Sequence, residues 1–142
     1  MPVVPVVPAP TRRLAVVFGG LAGLALALGL AVLAYPRSAP WHGVIRGHVG
    51  DVAAAMLIYA VLGLALARRW RPALRAAIAF GSAAAIEFGQ LVWDARSTLA
   101  ELTIGTSFDP WDIVAYAVGV ALGLAWERRA VRWHDAACAP PS

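Results

Sequence analysis

LAVVFGGLAGLALALGLAVLAY, residues 14–35, carries no charged side chain and is bracketed by Arg12, Arg13 and Arg37. A helix needs about 20 mainly apolar residues to cross a bilayer, and this run supplies them. It is longer than the 7–15 residue apolar core typical of a signal peptide, so it reads as a retained membrane helix. Working outward, three more apolar segments follow, Asp51 to Ala67, Ala73 to Trp93 and Asp112 to Trp126. The expected fold is therefore all-α, a polytopic membrane protein built as a bundle of four transmembrane helices over residues 14–127. A proline-rich disordered tail, residues 1–13, precedes it, and a tail of residues 128–142 follows.

Composition agrees with that class. Of the 142 residues, 61% are hydrophobic and 14% charged, whereas a soluble domain is about half apolar and a quarter charged. The pI of 10.2 does not indicate a nucleic-acid partner, because the arginines fall in short clusters between apolar runs and form no basic stripe. Membrane lipids are the expected partners. The single Cys138 has no partner for an internal disulfide or a thiolate metal site.

Arginine placement gives orientation. Arg12, Arg13, Arg68, Arg69, Arg71, Arg75, Arg128, Arg129 and Arg132 fall on one side of the four-helix arrangement, and Arg37, Arg46 and Arg96 on the other. Nine against three predicts that both termini are cytoplasmic. Trp41, Trp93 and Trp111 then mark the outer ends of the helices, and Trp70, Trp126 and Trp133 the inner ends, as interfacial belts do. The pairs Gly19/Gly23 and Gly119/Gly123 have the spacing that lets helices approach closely, which is expected to serve packing within the bundle.

Against this frame the sequence AAIEFGQLVW, residues 84–93, places Glu87 and Gln90 inside an apolar helix. Helix two begins with Arg46, His48 and Asp51, and helix four with Asp109 and Asp112. Helix three runs outward while two and four run inward, so all of these groups converge on the outer half. His48/Asp51, Glu87/Gln90 and Asp109/Asp112 are each three apart, a spacing that shares a helix face. Asp51, Asp109 and Asp112 also suit helix starts, where acids cap N-termini and oppose the dipole. Glu87, late in its helix, has no such explanation. It lies roughly 9 Å inward of Trp93 at the α-helical rise and needs a partner there. Arg46, His48 or a bound cation or ligand would serve, and Tyr59 and Tyr116 could each donate a hydrogen bond.

Carboxylates with one histidine suit Mg²⁺, Mn²⁺ or Zn²⁺, yet no segment carries a recognised metal motif, so the identity of any metal or cofactor stays open. An acid–base pairing of His48 with Asp51 or Glu87 is conceivable chemistry, but spacing alone does not make an enzyme. The inner half shows no matching acid, which counts against a proton or ion path. The reading these residues support is a polar pocket for a polar envelope ligand or lipid headgroup. Glu87 is its central acid, Arg46 and His48 its donor wall, and Asp51, Asp109 and Asp112 its rim. The alternatives are a proton- or cation-coupled transport protein, and a structural membrane subunit with a buried ion-pair network.

RGHVGD at 46–51, Tyr59, EFGQ at 87–90, GTSFDPWD at 105–112 and Tyr116 together resemble a family of small bacterial membrane proteins, domain of unknown function 2809. They are more loosely similar to the VanZ-like superfamily. The resemblance spans about residues 14–127. It implies a four-helix protein of the bacterial inner (plasma) membrane, with Arg46, His48, Asp51, Glu87, Gln90, Asp109 and Asp112 as its polar signature. It supplies no reaction, and the VanZ-like likeness implies cell-envelope work only by analogy.

Overall fold

A computed structural model describes residues 10–92 and 110–137. Among them there are helices and no strand. Helix α1 spans Pro10–Ala34. A short α2, His42–Val44, leads into a π-helical turn, Ile45–Val49, and then into α3, Gly50–Leu66. Helix α4 spans Pro72–Val92, and α5 spans Pro110–Ala137. Two helical runs, Arg12–Ala34 and His42–Leu66, are long and apolar enough to cross a membrane.

The helices exceed the expected limits at three places, each for a local reason. Helix α1 starts at Pro10, where proline's fixed φ suits the first helical position, and so takes in part of the expected tail. Helix α5 continues through ERRAVRWHDAA, a stretch rich in the helix formers Ala, Arg and Glu. The two extensions are tied together by Arg13, whose guanidinium donates to the Val131 carbonyl at 2.6 Å, and just inside them the Trp126 indole donates to the Val17 carbonyl at 3.0 Å. Third, the chain is continuously helical from His42 to Leu66, so Asp51 lies inside a helical run and caps nothing, contrary to the N-cap reading of its sequence context.

Helix α3 is the centre of the bundle and packs against α1, α4 and α5. Small residues set its distances. A Cβ on Gly119 would meet Ala55 at 2.8 Å, and one on Gly123 would meet the Tyr59 ring at 2.8 Å, so α5 approaches α3 more closely than any larger side chain allows. Gly63 does the same for Phe18 of α1. Gly19 and Gly23, the other expected pair, face open space. The core between these surfaces is made of Phe18, Leu21, Met56, Tyr59, Tyr116 and Val120 with several alanines.

Polarity is distributed the opposite way from a water-soluble domain. Leu24, Leu26, Leu30, Leu33, Val61, Leu64 and Leu122 are exposed, whereas Arg75, Glu87 and Glu127 are buried. Charged residues are almost never fully buried unless paired, so each of the three needs its partner identified.

Candidate functional site

Two polar clusters occupy opposite ends of the bundle. Arg75 and Glu87 are twelve residues apart on α4, roughly 18 Å at the helical rise. Between them α3, α4 and α5 contribute Ala55, Ala60, Ala79, Ala83 and Val120, all buried and apolar.

The first cluster is closed. Arg75 is 1% exposed. Its guanidinium donates to the Glu127 carboxylate at 2.5 Å and to the Trp70 and Ala67 carbonyls. The other Glu127 oxygen accepts from the Tyr59 hydroxyl. The guanidinium also lies over the rings of Phe18 and Tyr59, 5.5 and 6.0 Å from their centroids. One cation meets one anion, and α1, α3, α4 and α5 all contribute. Two expectations are corrected here. Tyr59 belongs to this cluster and not to the Glu87 set. The end expected to lack an acid, here the Arg75 end, does contain one, Glu127. Both residues were findable by the argument that located the other cluster. Arg75 near the start of α4 and Glu127 late in antiparallel α5 must meet at one end. The sequence reading instead set Glu127 at the domain boundary and counted Arg75 as an orientation marker.

The second cluster is open and unbalanced. His48, on the π turn, reaches across to α5, where its Nδ1 lies 3.2 Å from Asp112 Oδ1. Asp51, one helical turn beyond His48, completes a group in which one ligand atom from each of His48, Asp51 and Asp112 lies within 4.8 Å of the others. Glu87 of α4 is 3% exposed. It accepts a hydrogen bond from the Tyr116 hydroxyl at 3.1 Å. Asp51 and Tyr116 each lie within Coulombic range of both Glu87 and Asp112. Three helices thus bring three carboxyls, one imidazole and one phenol to one end.

The remaining expected members stand differently. Arg46 is exposed, and among the described residues no hydrogen bond or ion pair joins it to the acids. Within those residues it is His48, and not Arg46, that contacts an acid. Gln90 lies on α4 one turn after Glu87, with its side chain outside the described residues, and Asp109 lies outside them altogether. Of the partners proposed for Glu87 from sequence, the described protein groups supply only a neutral donor, Tyr116.

No curated protein and no solved structure matches the chain. A family model does match, over residues 41–120. That interval runs from Trp41 through the π turn, α3 and α4 to Val120, and holds every member of the His48–Asp51–Glu87–Asp112–Tyr116 cluster, while Glu127 lies beyond it. The match covers more than half of the 142 residues, and the chain belongs to the DUF2809 family, described as proteins of unknown function.

Proposed function

We propose that the chain is a multi-pass membrane protein with four spans and both termini cytoplasmic. In this reading the His48–Asp51–Glu87–Asp112–Tyr116 cluster, at its extracytoplasmic end, binds a polar ligand of the cell envelope. The observation that carries this reading is Glu87, a buried carboxyl with a neutral hydrogen-bond donor, set among acids from two other helices in a bundle whose exterior is apolar. Nothing about helix packing requires a third acid there. A bound group that brings positive charge supplies the reason.

Several features support the membrane assignment. The large exposed side chains of α1 and α3 are leucines and valines, while Arg75, Glu87 and Glu127 are buried. Arg68, Arg69, Arg71, Arg128, Arg129 and Arg132 are exposed around the Arg75 end, which the positive-inside rule makes cytoplasmic. Trp41 at one end and Trp133 at the other are exposed, as expected of interfacial anchors. Trp41 holds a left-handed backbone, φ 68°, and is 73% exposed.

A second reading has one observation of its own. Arg75, Glu127 and Tyr59 form a buried, charge-balanced network, as a structural membrane subunit would use, with Arg75 Nε left without a hydrogen-bond partner among the described residues. That network accounts for the cytoplasmic end and leaves the acids at the other end unexplained. A transport role gains an acid in Glu127, but its Arg75 partner fixes it as an ion pair and not as a relay.

Two experiments test the proposal. Native mass spectrometry of the detergent-purified protein should show a bound mass on the wild type that Glu87→Gln loses. Bare protein in both samples would move the assignment to the structural reading. For topology, Cys138 is the single natural cysteine. In intact cells a membrane-impermeant maleimide should spare it and should label Ser38→Cys in a Cys138→Ser background. Reversed labelling refutes the orientation.

A further inference from the structure

The ligand's chemistry follows from comparing the two clusters, and this inference rests on the proposal that the His48 end holds one. At the Arg75 end the protein balances its own charge, with one guanidinium for one carboxylate. At the His48 end three carboxyls face one imidazole. Arg46, the arginine nearest in sequence, is exposed and pairs with none of the acids among the described residues. Among the described residues Glu87, 3% exposed, has the Tyr116 hydroxyl as its hydrogen-bond donor. A buried carboxyl with no cationic partner calls for a cation from outside or for a proton. It also rejects an unaccompanied phosphate, because the cluster already carries excess negative charge.

We propose that His48, Asp51 and Asp112 form a binding site for a divalent transition-metal cation such as Mn²⁺ or Zn²⁺, the two aspartates balancing the ion and Glu87 standing near them as a third acid within its field. Three observations select a metal over an organic ammonium group. The donor set is one imidazole nitrogen and two carboxylates, a combination suited to first-row divalent ions. His48 and Asp51 come from successive turns of one helical run and Asp112 from α5, so the donors converge across the interface of two helices. The 3.2 Å between His48 Nδ1 and Asp112 Oδ1 is a normal separation for two neighbouring ligands on one ion. Two bonds of about 2.1 Å bring donors no farther apart than ~4.2 Å, and the whole group already lies within 4.8 Å. Rotation of a carboxylate closes that difference. The imidazole makes Mg²⁺ and Ca²⁺, which take oxygen ligands, the poorer fit. His48 and Asp112 are partly exposed, with side chains 35% and 16% accessible, which leaves an entry path.

The test uses full-length, tag-free protein in neutral detergent, stripped with chelator and then titrated with MnCl₂. Free Mn²⁺ is followed by electron paramagnetic resonance, with ZnCl₂ as competitor. Expected are one saturable Mn²⁺ per chain, displacement by Zn²⁺, and loss of binding in Asp51→Asn and in Asp112→Asn. Glu87→Gln, acting through the field near the ligands, should weaken binding about 10-fold or more. The Asn and Gln replacements keep side-chain size, and His48→Gln is a further ligand variant should either Asp variant fail to elute as a single species. Wild-type protein with no saturable binding overturns the metal site, as does binding that the Asp and His variants leave undiminished. In the first case an organic mass retained in native spectrometry would leave the ligand-binding proposal standing with an ammonium-type ligand. Retention of neither would remove both.

Discussion

Replacing Glu127 with Gln strips the anion from a guanidinium that is 1% exposed and held by three helices besides its own. The Arg75 charge would then remain among Phe18, Tyr59 and two carbonyls, with no counterion. Removing one partner of a buried pair costs about 3–5 kcal/mol, because the surviving charge stays buried and uncompensated. An ordinary interhelical hydrogen bond in a membrane protein averages only about 0.6 kcal/mol. The two scales differ enough to be told apart. Arg75→Met should cost a similar amount by stranding Glu127. The double variant Arg75→Met/Glu127→Leu removes both charges, leaving only the Tyr59 hydroxyl short of an acceptor. It should fall within about 2 kcal/mol of the wild type, whereas adding the two single losses would give roughly 6–10. Unfolding in mixed micelles by increasing SDS fraction, followed by tryptophan fluorescence, measures all four corners of this cycle. Single losses near 0.6 kcal/mol, or a double loss equal to their sum, would refute the claim that the pair acts as one buried unit.

Helix contacts give sharper contrasts at glycine. Gly123→Val drives a side chain into the Tyr59 ring and should cost about 1–3 kcal/mol in the same unfolding assay. Gly19→Ala, with nothing within 4 Å, should be neutral or stabilise by up to ~1 kcal/mol through helix propensity; equal losses at both sites would contradict the packing described. Tyr116→Phe removes the hydroxyl that donates to Glu87, and a lost buried hydrogen bond should lower stability by about 1–3 kcal/mol. If the metal site is real, saturating Mn²⁺ should raise the melting temperature of the wild type and leave that of Asp112→Asn unchanged, as mass action requires of any ligand that binds only the folded state.

Much of the architecture can be read from residue order alone. The meeting of His48, Asp51, Glu87, Asp112 and Tyr116 needs only antiparallel neighbours and the position of each group along its helix, and both are visible in the apolar runs. Rotation about each helix axis is not visible. Tyr59 lies on the same helix as Asp51, yet its hydroxyl reaches Glu127, because at 100° per residue its facing depends on how α3 settles against Gly123. Arginine clusters also misled the reading of helix ends. They mark where apolar sequence stops, whereas α1 and α5 continue past them as paired helices joined through Arg13 and Trp126. Arg46 was expected beside the acids on chemical grounds, but it is exposed and bonds to no acid among the described residues.

The π turn at Ile45–Val49 holds one residue more than an α-helical turn would. Its surplus can therefore be treated as an insertion with a mechanical effect. Deleting one residue from IRGHV would let the run from His42 to Leu66 close into uniform α-helix with its flanks still facing as they do, because the wide turn is what absorbs the surplus residue. Trp41 and His42 would then keep their direction, and only the side chains within the turn would be re-aimed. A family member one residue shorter in this stretch would carry its first loop on the same side of the bundle, yet matching its histidine to His48 by counting from Trp41 would select the wrong residue.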